Sequence, residues 1–263
     1  MKKTLFAFAA VLMAGSSAFA MDVTNPFYVP MKGDFLSETS TVYTNLQHGL
    51  LEQAVATETL SYGVTRNLAI GATLADTWVF DRGDMTGHEK YDNPAWGVGF
   101  KYNWLDCCKT KWKVQVGADY KQGGVNPHDK AFLAFAKAGY ELDKVLPYAS
   151  IAVNKPAGKY EGGPIWQGRV AAYAPLAKKV NLDVGLDYEW NSDTDGSHGR
   201  PVPATRGHNR YLFADATLSY VFSDCMAVGL TGEYVLHSHV KDGPKGKENV
   251  DRYNVGVNLK VAF

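Results

Sequence analysis

His237 and His239, set two apart, come closest to a metal clip in this sequence. On an extended chain, positions two apart share a face, so both imidazoles could close on one cation. No cysteine and no third ligand is fixed near them, which leaves them weak candidates, and no metal site is expected. The seven histidines, His48, His88, His128, His198, His208, His237 and His239, all fall in polar stretches or at their edges, where histidines collect without a task. Asn191-Ser192-Asp193-Thr194-Asp195-Gly196 imitates the start of a calcium-binding loop, but Val202 stands where the bidentate Glu is required. Asp81, Asp84 and His88 offer acid and base groups within one loop of ordinary composition. In His237-Ser238-His239 the neighbours point to opposite faces of a strand, so no base reaches the serine. No catalytic residue, no enzyme activity and no cofactor is expected.

A second set of candidates emerges when charges are sorted by the parity of their positions. One face of the alternating segments carries Lys101, Lys113, Lys137, Arg169, Arg252 and Lys260 together with Glu38, Asp119, Asp183, Asp187, Glu189, Asp215 and Glu233. Ionised groups in a dry interior must pair; otherwise they line water. Their chemistry is therefore that of a charged passage. The row Asp183, Asp187 and Glu189 would favour cations or sugars over anions.

Strands must position these residues. From Tyr253 to Phe263 every odd position is apolar (Tyr253, Val255, Val257, Leu259, Val261, Phe263), while the even positions read Asn254, Gly256, Asn258, Lys260 and Ala262. Similar two-faced segments include Trp96–Trp104, Trp112–Tyr120 and Val180–Trp190, where Val180, Leu182, Val184, Leu186, Tyr188 and Trp190 oppose Asn181, Asp183, Gly185, Asp187 and Glu189. Leu212–Tyr220 and Val228–His237 follow the same rule, the latter with His237 on the polar side. With less regular segments near 35–45, 53–64, 68–80, 130–140, 146–154 and 164–174, the count reaches about twelve, joined by alternately short and long connections. Aromatics on the apolar faces gather at the segment ends, for example Tyr62, Trp104 and Trp112 at the short-turn end and Trp78, Trp96 and Trp190 at the other. A soluble barrel or sandwich would reverse this, placing its largest side chains in a central dry core and its charges outside.

The chain opens Met1-Lys2-Lys3, runs apolar from Leu5 to Ala14 and reaches Ala18-Phe19-Ala20, the pattern of a signal peptide cut before Met21. Removing Lys2 and Lys3 from 27 basic residues leaves 25 against 27 acidic ones, a formal charge of −2 that gives no reason to expect nucleic acid. No other stretch is apolar for long enough to form a spanning helix, so entry into a membrane requires a closed barrel. Three cysteines, Cys107, Cys108 and Cys225, make a disulfide framework an unsuitable stabilising device, and the turns holding Cys108 and Cys225 fall on opposite walls of such a barrel.

Signal peptide, about twelve alternating segments, loop asymmetry and the terminal Phe263 together resemble the Gram-negative outer-membrane β-barrels, a class of porin-like proteins with many different tasks. The resemblance implies an all-β, antiparallel up-and-down transmembrane barrel over 34–263, preceded by a signal peptide (1–20) and an extended lead-in (21–33), too short for a plug domain. It implies location in the outer membrane after cleavage, Phe263 as an assembly signal, and outer-membrane lipid and the assembly machinery as partners. The pattern of outer-membrane phospholipase A, a His two residues before a Ser on the lipid-facing wall, is absent, while Asp81, Asp84 and His88 could mimic an omptin-like acidic and histidine site but share one loop of common composition. A passive channel for small hydrophilic solutes is the expected function; a non-conducting surface barrel with partner-binding loops and a lipid- or peptide-processing enzyme are the alternatives. Twelve tilted strands give a backbone diameter of roughly 24 Å, which side chains could fill or leave open.

One wall breaks the pattern. The parity that turns Leu60 and Tyr62 to lipid turns Glu58 there too, beside Ser37, Thr39 and Thr41. A bulge, a protonated Glu58 or a homo-oligomer seam would each reconcile this, and the seam accounts for both strands at once.

Overall fold

The computed structural model describes residues 22–46, 51–81, 94–105, 110–123, 130–157, 163–191, 209–243, 246–248 and 252–263. The period-two segments form β1 (Phe35–Leu46), β2 (Leu51–Gly63), β3 (Leu68–Asp81), β4 (Ala95–Asn103), β5 (Trp112–Gln122), β6 (Lys130–Tyr140), β7 (Leu146–Ala157), β8 (Ile165–Ala177), β9 (Val180–Asn191), β10 (Asn209–Ser223), β11 (Met226–Gly243), a three-residue β12 (Gly246–Glu248) and β13 (Arg252–Ala262). Consecutive barrel strands pair antiparallel. β13 pairs with β1 on one side and β11 on the other, so the sheet closes as a ring of twelve, with the short β12 pairing antiparallel on the far end of β11. Closure is what satisfies the backbone of a sheet in lipid, because no edge is left unpaired.

The outward faces are apolar and exposed: Ile70, Leu74, Val98, Phe100, Val170, Val184, Leu186, Leu230, Val255 and Val257 form a band between the aromatic rows. Tyr62, Trp104, Trp112, Tyr220 and Phe222 lie at the short-turn end, and Trp78, Trp96, Phe132, Trp190, Tyr234 and Tyr253 at the other. An exposed apolar band between two aromatic belts is the surface of a barrel solvated by a bilayer. Phe263 belongs to it: its ring stacks on Phe35 at 5.6 Å and its backbone bonds that of Phe35 in both directions.

Two details depart from strict alternation. Between β10 and β11, Leu212 pairs with His237 and Phe213 with Val235, so Leu236 is an extra residue in β11. That bulge turns His237 to the outward face of its partner Leu212, correcting the inward position that alternation gives it, and puts Val235 and Ser238 in the buried set. By contrast, β1 and β2 pair without interruption from Phe35↔Tyr62 to Leu46↔Leu51, so no bulge between them relieves Glu58. Instead Ser37 donates a 2.6 Å hydrogen bond to one Glu58 oxygen, and Thr39 donates to the other. The lipid-facing carboxylate is thus solvated by its own wall.

The largest departure concerns the lead-in, which lies inside the barrel. Residues 22–34 turn three times, through Asn25 N–H to the Asp22 carbonyl, Tyr28 N–H to the Asn25 carbonyl and Asp34 N–H to the Met31 carbonyl, each 3.0 Å. Val23, Phe27, Val29 and Pro30 are among the most buried residues of the protein. Phe27 meets an apolar patch on the inner faces at the short-turn end, packing with Leu146, Tyr148, Ala171 and Tyr173. This segment, the strap, places a small core within the lumen.

Candidate functional site

The strap is anchored on two opposite walls. At one end Gly33 N–H donates to the Gly63 carbonyl and Gly63 N–H to the Asp34 carbonyl, each 2.9 Å, at the end of β2. At the other, the Asp22 carboxylate accepts from Tyr173 of β8 and, at 3.4 Å, from Asn181 of β9; Thr24 adds bonds of 2.8 Å to the same two side chains. β2 and β8 stand six places apart in the ring, so the strap crosses the lumen. At mid-span Asn103 and Gln115 donate to the Phe27 carbonyl at 3.2 and 3.3 Å, and Lys137 donates to the Pro26 carbonyl. The Lys137 ammonium also lies 5.1 Å from the centre of the Phe27 ring, and the Tyr148 ring meets Phe27 edge-on at 5.8 Å. Burial pushes the Tyr28 phenol up to about 12, with Asp34 and Glu38 adding to the shift, so it stays neutral and can donate.

The charged residues form two groups. On the wall of β8 to β10, Arg169 meets Asp183 at 3.1 Å, Asp187 at 3.4 Å and also Asp215, while Tyr148 donates to Asp183 at 2.7 and 2.9 Å. One guanidinium among three carboxylates leaves that wall acidic. Glu189 accepts from Gln167 at 3.2 Å and Glu233 accepts from Asn254, so neither neutralises it. Arg252 lies 5.4 Å over the Phe213 ring.

The second group centres on Glu38. Lys260 on the neighbouring strand approaches it at 3.1 Å, and Lys101 reaches it at 3.4 Å from β4, three strands away. That span bridges lumen rather than wall. Lys113 bends toward the short-turn end and pairs with Glu141 at 2.8 Å, so it sits at the rim. Asp119 lies over Gly99, where an added Cβ would meet its Oδ1 at 1.8 Å; only a glycine admits the carboxylate there. The basic set on β4 to β6 therefore faces the acidic set on β9 to β11 across the lumen.

Other candidates are not assembled. His237 is exposed on the outer wall, and no group of three metal-ligating side chains occurs among the described residues. The side chain of His239, together with Asp84, His88, Cys107, Cys108 and the calcium-loop imitation, lies outside the described residues. Cys225 is a free thiol, 3.4 Å from the Ser223 hydroxyl.

Sorting by charge misses the strap and its wall partners Asn103, Gln115, Tyr148, Tyr173 and Asn181. A signal for them existed: Leu36, Ala69, Leu146, Tyr148, Ala171 and Tyr173 are apolar on the inward parity at the short-turn end, where a wet lumen has no use for them.

No family profile and no curated protein matches the sequence. Solved structures do. The chain is similar to the COG4313 outer membrane channel from Pseudomonas putida F1, at 10% identity and a TM-score of 0.63, over 92% of this chain and 100% of that one. It is also similar to the KdgM porin in complex with disordered oligogalacturonate, at 9% identity and a TM-score of 0.50, over 84% and 97%. A third similarity is to the NanC porin, at 10% identity and a TM-score of 0.50, over 84% and 98%. At such identities the likeness is one of fold alone: a closed antiparallel β-barrel.

Proposed function

We propose that this outer-membrane-type barrel acts as a narrow passive channel for small hydrophilic solutes, located in the Gram-negative outer membrane after removal of residues 1–20. The observation that carries the reading is the pairing of an apolar outer wall with a lumen of opposed charges. Carboxylates of Asp183, Asp187, Glu189, Asp215 and Glu233 face the amines of Lys101 and Lys137. Two walls of opposite sign set a field across the passage, which orients dipolar solutes and screens out apolar ones. The fold likeness to channels and porins supports this reading, and the oligogalacturonate named with the KdgM porin is a solute of the same broad class.

A second reading, a barrel that does not conduct and acts through its outer loops, is favoured by the strap, which crosses the lumen at the short-turn end. Reconstitution into planar bilayers separates the two. A channel gives discrete, salt-dependent current steps, enlarged when residues 22–33 are deleted. A silent barrel with and without the strap supports the second reading and refutes the first.

A further inference from the structure

The strap is held by a site, and the chemistry of that site is broader than the strap. Two successive carbonyls are recognised, that of Pro26 by Lys137 and that of Phe27 by Asn103 and Gln115. The side chain on the second of those residues is an aromatic ring, seated among Leu146, Tyr148, Ala171 and Tyr173 beneath the Lys137 ammonium. Successive carbonyls with a ring on the second residue are the outline of a peptide backbone. The wall groups are built for it: Gln115 is 0% exposed and is itself held by a 2.7 Å bond from its amide nitrogen to Asn103.

One group of the site has no partner in the strap. The Gln115 Oε1 atom is buried and accepts no hydrogen bond among the described residues. A buried acceptor left unmatched is costly, and native interiors rarely keep one without a reason. The strap has little to offer it: Pro26 has no N–H, and the Phe27 N–H is taken by the Asn25 side chain at 2.9 Å. An ordinary peptide, with an N–H on every residue, carries the missing donor.

We infer that the lumenal seat formed by Asn103, Gln115, Lys137, Tyr148 and Tyr173 is a recognition site for short peptides bearing an aromatic side chain, and that the strap is its tethered occupant. The inference deepens the channel reading by naming a solute class, and it rests on that reading only for the route by which the peptide arrives. A site that its own chain fills imperfectly can be emptied by a solute that fills it better, because the competitor gains the Gln115 Oε1 bond which the strap forgoes.

The test is binding in detergent solution, where conduction plays no part, so this proposal and the channel reading can fail separately. The probe is the tripeptide Ala-Phe-Ala, with Ala-Ala-Ala as control, titrated into the full chain and into its Phe27→Ala variant. Removing the tethered ring should tighten Ala-Phe-Ala by at least about tenfold, or about 1.4 kcal/mol, and leave Ala-Ala-Ala unchanged. A second preparation lacks residues 22–33, with its barrel verified by heat-modifiable migration. It should bind a synthetic peptide of residues 22–34, and bind the Phe27→Ala form of that peptide at least about tenfold more weakly. Gln115→Leu in either preparation should weaken Ala-Phe-Ala and Ala-Ala-Ala alike, because Gln115 meets backbone groups that both probes carry, and an unchanged affinity for Ala-Phe-Ala would overturn the role given to Gln115. Equal affinity for the phenylalanine and alanine probes, in the full-chain variant or in the folded strap-less barrel, overturns the proposal, as does no binding of either probe.

Discussion

Gly63→Ala tests whether the strap is a separable device or part of the barrel's structure. A Cβ added at Gly63 would sit 1.8 Å from the Met31 carbonyl oxygen and 2.6 Å from that of Pro30, both backbone atoms that cannot swing aside. Cβ contacts essentially never fall under 3.0 Å, so the strap must move by about 1.2 Å or more relative to β2. The two 2.9 Å hydrogen bonds that anchor this end, Gly33 to Gly63 and Gly63 to Asp34, do not survive such a shift. At about 0.5–1.5 kcal/mol each, their loss weakens the seated state by about 1–3 kcal/mol. The population with a released strap should then rise about 5- to 150-fold. The assay is thiol labelling of Val29→Cys, which is 2% exposed in the seated strap, on a background free of other cysteines. If opening is fast relative to reaction, the labelling rate reports the released population, and Gly63→Ala should accelerate it by that factor while the heat-modifiable barrel persists. An unchanged rate refutes the assignment of Gly63 as the strap's anchor.

Three further perturbations address the walls. Arg169→Met leaves Asp183, Asp187 and Asp215 without their shared cation, and because these side chains keep 11–26% exposure the cost should lie near the low end for such a loss, about 3 kcal/mol in urea unfolding; adding Asp187→Asn should recover part of it, and an additive further loss would contradict the cluster's charge balance. Phe263→Asp, which places a carboxylate where a ring stacks on Phe35, should lower the yield of folded barrel far more than Lys260→Met, because Lys260 points into the lumen toward Glu38; equal yields would show that the face of β13 is misassigned. If a second copy covers the wall of β1 and β2, cysteines at Thr39 or Glu58 should cross-link in native membranes and cysteines at Val184 or Leu218 should not. Monomer at every position would mean that the bonds from Ser37 and Thr39 suffice for Glu58.

The barrel is legible along the chain, because membrane burial acts on each strand locally: every second side chain must be apolar, and aromatic residues must mark both interfaces. That requirement is written into Val180–Trp190 and Tyr253–Phe263 without reference to any other strand. Alternation likewise assigns each charge a side of the wall, as long as it is unbroken. Where β11 inserts Leu236, the local rule fails, and only the pairing of His237 with Leu212 shows which way the imidazole points. Tertiary structure alone decided what fills the lumen. Lys101 finds Glu38 from three strands away, and Arg169 on one strand gathers carboxylates from two others. The strap is the extreme case. Val23, Phe27, Val29 and Pro30 are buried but follow no period, and Phe27 packs on the inner faces of β7 and β8 rather than against a sheet neighbour. Periodicity reports only on contacts that repeat along the chain, and a segment crossing a closed barrel makes each of its contacts once.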